Sequence, residues 1–175
     1  MVFATQNPIE FEGTYPLPEA QLDRFLLKIL VNYPSIEAEE AVLRRYHEGF
    51  DSNALGSAGI AAVADVASIE RCRALIKQVR VEDAMFQYIT RLVAATRDHR
   101  QLVLGASPRA SIALLGVGKA LAAMRGRDFI IPDDIKSIAP ATLRHRLLLR
   151  PEAEIEGVSA DRVIENILDS LEVPR

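Results

Sequence analysis

The sequence is poor in the residues that build covalent or metal-held frameworks: one cysteine, Cys72, three histidines and no tryptophan in 175 residues. A single thiol excludes an intramolecular disulfide framework. With only His47, His99 and His145 beside it, no zinc-ligand spacing can be drawn, so no metal site is expected. That cysteine usage fits a reducing, cytoplasmic setting. An excess of one charge sign is also lacking. Lys and Arg number 21 against 24 Asp and Glu, a net charge of −3, which argues against a nucleic-acid partner. No apolar run approaches the ~18 residues needed to cross a bilayer, because the richest stretch, Ile112 to Met124, is broken by Lys119; no membrane span is expected. Residues 1–5 carry no basic segment followed by an apolar one, so no secretory signal is read there. What is present is an ordinary globular composition, 49% hydrophobic and 26% charged, long enough for one domain plus a fragment of another.

Val2-Phe3-Ala4-Thr5 reads as a buried strand with no cap or turn before it. The expectation is that Met1 opens a fragment whose parent continues upstream. Gln6-Asn7-Pro8 ends that strand, and Pro16 and Pro18 forbid a regular helix in the loop that follows. Glu19 to Arg24 reads as a short helix, and Phe25 to Val31 as a second buried strand closed by Asn32-Tyr33-Pro34. Helical spacing begins at Ser35, an N-cap, and stops at Gly49. Residues 50–59 read as a surface loop, and 60–66 as either strand or helix. Ser68 to Val79 and Glu82 to Asp98 form two amphipathic helices, simplest as a hairpin, the second burying Met85, Ile89, Leu92 and Val93. Ser107-Pro108 opens a helix to about Arg125, Pro132 another to about His145, and Ser159 a last one with Val163, Ile164, Ile167, Leu168 and Leu171 on one face. Arg146 to Gly157 reads as a short extended connection.

Gly116-Val117-Gly118-Lys119 superficially resembles a phosphate-binding loop. It lacks the required earlier glycine, which is Ala113, and the magnesium-binding Ser or Thr, which is Ala120; inside a helix it reads as packing. Arg144, His145, Arg146 and Arg150 form a basic cluster followed by seven acidic residues between Glu152 and Glu172, a pattern that reads as a mixed-sign solvated face. Three polar residues stand at special places. Asn7 lies at the tip of a strand, where α/β sheets present ligands, although an Asn before Pro8 can simply hold a turn. Arg24 ends a short helix, within reach of Asp23 or Glu19. Arg109 sits in the first turn of a helix, where the dipole disfavours a cation unless an anion approaches.

The run Ala4-Thr5-Gln6-Asn7-Pro8, then Glu12-Gly13-Thr14-Tyr15-Pro16-Leu17-Pro18-Glu19-Ala20-Gln21-Leu22-Asp23-Arg24-Phe25, and later Gly105-Ala106-Ser107-Pro108-Arg109-Ala110, resembles the MoxR-family AAA+ ATPases over effectively the whole chain. The resemblance implies a mainly α fold: a helical AAA+ lid domain at residues 35–175, preceded by a remnant of the α/β core at 1–34 with two short strands. It implies that Asn7 is the sensor 1 position, orienting the attacking water and touching the γ-phosphate. Arg24 would be the arginine finger that reaches a neighbouring subunit's nucleotide, and Arg109 the sensor 2 position on the lid, serving its own or a neighbour's nucleotide. The family's Walker A and Walker B segments precede the part this chain matches. ATP and Mg2+ are therefore expected in the parent protein, with this chain inactive alone. The strand between the two short ones would be missing as well, so residues 1 to about 31 are expected to rearrange or pair with another copy. The implied parent is a chaperone-like ring ATPase, often a hexamer, with client proteins that include von Willebrand A domains. The competing reading is a stand-alone helical interaction module without nucleotide chemistry.

Overall fold

The computed structural model describes residues 2–6, 17–54, 56 and 59–174. Its elements in order are α1 (Glu19–Leu22), α2 (Ile36–His47), α3 (Val66–Gln78), α4 (Asp83–Arg97), β1 (Leu102–Leu104), α5 (Pro108–Met124), α6 (Pro132–Leu143), β2 (Leu148–Leu149), α7 (Pro151–Ile155) and α8 (Ala160–Ser170). The expected class stands: a mainly helical bundle with one small two-stranded sheet. Contacts divide the chain into two units, one of Met1–Lys28 with Arg80–Arg175 and one of Ile29–Val79.

The larger unit is built around α4, α5, α6 and α8. Apolar residues at spacings of three and four give α4 a buried face of Met85, Tyr88, Ile89, Leu92 and Val93. That face joins Ala110 and Leu114 of α5, Ile135 and Leu143 of α6, and Val163 and Ile164 of α8 in one core, these last six fully shielded from solvent. α5 starts where Ser107 caps it, its hydroxyl accepting from the Arg109 amide at 3.2 Å, with Pro108 at the first helical position. Gly118 faces Ile135, so α5 and α6 approach closely at that point. Gly116-Val117-Gly118-Lys119 is thus a stretch of packed helix, as its sequence suggests. α6 begins at Pro132, and Asp134 in its first turn accepts from the Ile131 amide at 3.1 Å. Residues 146–157, expected to be extended, hold instead β2, antiparallel to β1, and the short α7 with Pro151 at its start.

In the smaller unit, Ser35 caps α2 by accepting from the Ala38 amide, and Gly49 follows it with φ +94°. Asp65 caps α3 by accepting from the Ser68 amide at 2.7 Å. Neither helix carries a buried residue. α3 and α4, expected as a hairpin, fall in different units.

The two strands are not where the sequence suggests them. Residues 2–6 and 25–31 carry no strand, and Val2, Phe3, Leu26, Ile29, Leu30 and Val31 are exposed. A strand exists only when a neighbour completes its ladder, and no described residue offers one to either segment. Residues 25–28 bond to the end of α6 instead, the Lys28 amide donating to Ala141 O at 2.8 Å. Among the described residues no helix is long and apolar enough to cross a membrane.

Candidate functional site

Two of the three residues singled out in the sequence meet in space. Arg24, in the turn after α1, and Arg109, in the first turn of α5, line one open cleft of about 430 Å3, together with Leu26, Ile112, Ala113, Asp23 and Arg146. Asn7 lies outside the described residues.

The floor of the cleft is organised by Asp23. Its carboxylate accepts from the Ser107 hydroxyl at 3.1 and 3.0 Å and from Arg146 Nε at 3.1 Å. Arg109 Nη1 stands further off, 3.5 Å from Oδ2, and the Arg109 side chain is 58% exposed. A pair so long and so wet contributes little, so the Arg109 head remains available to another anion. Arg24 is exposed, and among the described residues its guanidinium has no hydrogen bond or ion pair. The cleft therefore presents two solvated cationic heads beside the apolar side chains of Leu26 and Ile112.

Behind it, the residues Arg144-His145-Arg146 at the end of α6 hold the main chain of residues 23–28. Arg146 donates to Asp23 O at 3.2 Å, Phe25 O at 2.6 Å and Leu26 O at 3.3 Å, and also to Thr142 O. His145 Nε2 lies 3.0 Å from Phe25 O, and Arg144 Nη1 donates to Lys28 O at 3.2 Å. The mixed-sign solvated face expected here is corrected for His145 and Arg146, both buried. The reason is that carbonyls without a strand ladder need donors, and these side chains supply them. Burial pulls His145 below its ordinary pKa; the Phe25 carbonyl opposes this, while Arg146 and Lys28 reinforce it. Burial also lowers Arg146, against the attraction of Asp23. Sequence reasoning misses Asp23, Ser107, His145 and Arg146 as parts of this site. Asp23 and Arg146 are 123 residues apart, and no local pattern links them.

Among the described residues no three His, Cys, Asp or Glu side chains are grouped to hold a metal ion. The cationic cleft has the charge to face phosphate oxygens.

Residues 94–167 match the family model described as "AAA lid domain", and residues 1–27 the one described as "ATPase family associated with various cellular activities (AAA)". The chain is 44% identical over 173 residues to the uncharacterized protein YeaC of Bacillus subtilis, covering 99% of this chain and 52% of YeaC. It is 38% identical over 184 residues to the chaperone MoxR1 of Mycobacterium tuberculosis, covering 100% of this chain and 47% of MoxR1. A crystal structure of a proposed ATPase from Cytophaga hutchinsonii superposes with a TM-score of 0.87 at 38% identity, over 98% of this chain and 53% of that one. The chain spans about half the length of the curated relatives it matches. With these relatives and both segments matched, the chain belongs to the MoxR-type AAA+ ATPase family, within its C-terminal AAA and lid region.

Proposed function

We propose that this chain is the sensor and lid portion of an ATP-hydrolysing ring that acts as a chaperone-like remodeller of partner proteins. In this reading residues 1–34 end the nucleotide-gripping core and residues 35–175 form the lid. Upstream Walker A and Walker B segments of the parent hold ATP and Mg2+. Asn7 orients the attacking water, Arg24 reaches the nucleotide of the neighbouring subunit, and Arg109 senses its γ-phosphate. The ring is a cytoplasmic hexamer, and its clients include proteins with von Willebrand A domains.

The observation that carries the reading is the meeting of Arg24 and Arg109 on one open cleft. The first turn of a helix is an unfavourable place for a cation and a favourable one for an anion. A phosphate drawn to the start of α5 would gain both guanidinium groups. Their place on one cleft supports a reading in which both address the same nucleotide, which for a finger is the neighbour's. The test is Arg24→Ala in the full-length protein. Nucleotide affinity should be retained while hydrolysis falls by roughly 10³-fold or more, the scale of a lost arginine finger. Turnover near the wild-type rate would remove the finger assignment.

A further inference from the structure

We propose that Arg146 is a positioning residue for Arg24, gripping the main chain on both sides of it so that the Arg24 head is aimed by the lid. This inference rests on the proposed function. A guanidinium has five N–H donors, and Arg146 directs them to five acceptors: Asp23 Oδ1, Asp23 O, Phe25 O, Leu26 O and Thr142 O. Four of the five belong to residues flanking Arg24. The fifth, Thr142 O, anchors Arg146 to the end of α6.

Its side chain is only 3% exposed, so the grip works where water cannot compete. Arg24 between these contacts is exposed. A fixed backbone with a solvated head is the arrangement a finger needs, because the main chain then has no orientation left to lose when the anion arrives and the head is free to meet it. Asp23 extends the grip to α5 through the Ser107 hydroxyl, at the start of the helix that carries Arg109. The turn bearing Arg24 is thus tied to the ends of two lid helices.

Lysine cannot replace this fork, since it offers three donors from a single point. In the full-length protein, Arg146→Lys should lower kcat by about tenfold or more and leave KM within about twofold. The deciding comparison is with Arg24→Ala. If Arg146 acts through Arg24, the double variant Arg146→Lys/Arg24→Ala is no slower than Arg24→Ala alone. If Arg146→Lys does not fold, Arg146→Gln provides the same comparison, because a side-chain amide offers two donors where the guanidinium offers five. Losses that multiply, or a raised KM with unchanged kcat, would overturn the inference while wild-type turnover keeps the proposed function standing. A wild-type protein that does not hydrolyse ATP would remove both. Hydrogen exchange on the present chain gives a readout without nucleotide: in Arg146→Lys the Phe25 and Lys28 amides should lose protection by about tenfold or more, with the α4 core unchanged. Unchanged protection at both amides would also overturn it.

Discussion

Replacing Gly105 by alanine adds one methyl group, and the space it would occupy is already taken. A Cβ there would stand 2.6 Å from Arg97 Cα, Arg97 N and Thr96 C, all main-chain atoms at the end of α4. No rotamer change can relieve a contact with backbone, so the loop must withdraw by about 1 Å to regain ordinary van der Waals distance. Two bonds hold that loop: the Ala106 amide donates to the buried Thr96 hydroxyl at 2.9 Å, and Arg97 Nε donates to Ala106 O at 2.9 Å. Overpacking costs about 1–3 kcal/mol and a lost buried hydrogen bond about 1 more, so Gly105→Ala should destabilise by about 2–4 kcal/mol. Gly116→Ala is the control. It is exposed within α5 with nothing near its Cβ position, and alanine should stabilise it by about 0.5–1 kcal/mol. Gly118→Ala should fall between them, because its Cβ would meet a mobile methyl, Ile135 Cδ1 at 2.8 Å, rather than backbone. Urea unfolding at constant m-value measures all three. A neutral Gly105→Ala, or a Gly116→Ala as costly as Gly105→Ala, would refute the reasoning.

Asp134→Asn should destabilise by about 2 kcal/mol in the same assay, because a fully buried carboxylate gives up bonds from Arg125 and Arg127. Burial raises the Asp134 pKa, but Arg127, the Ile131 amide and Arg125 outweigh it, leaving the net value lowered. Its contribution is present above the unfolded value near 3.8 and is lost as pH falls through the folded one, a loss that Asp134→Asn should flatten. His145 is likewise lowered, chiefly by burial, so the unfolded chain takes up the proton first. Stability that is complete above about pH 6.5 should fall as pH drops through the folded value, and the wild-type profile should converge on that of His145→Gln there; parallel profiles would contradict the buried neutral imidazole. Ser107→Ala should cost about 1 kcal/mol or more, since one hydroxyl both caps α5 and donates to Asp23.

The parts of this fold legible in sequence are those whose signals are local. Ser107-Pro108 states a cap and a first turn within two residues, and α5 begins there. The spacing of Met85, Ile89, Leu92 and Val93 marks a face, and that face is buried. Residues 2–5 and 25–31 mislead because an apolar run reports a need for cover without naming what supplies it. A strand further requires a partner ladder. α2 and α3 illustrate the complementary case, with caps and spacing enough to form helices that bury nothing within their own unit.

The grip on Arg24 is illegible for a different reason. The acceptors of Arg146 are mostly main-chain carbonyls, which every residue possesses and no sequence pattern marks. Counting charges along the chain therefore assigns Arg146 to the acidic stretch that follows it, whereas in space only Arg144 of the cluster pairs with that stretch, through Asp161. The arginines divide their roles accordingly. Arg146 commits its donors to four carbonyls and one carboxylate and is buried; Arg24 and Arg109 keep solvated heads on the cleft. A guanidinium with all five donors engaged can hold a turn but cannot also bind a ligand, so the anion-facing work falls to the two that remain open.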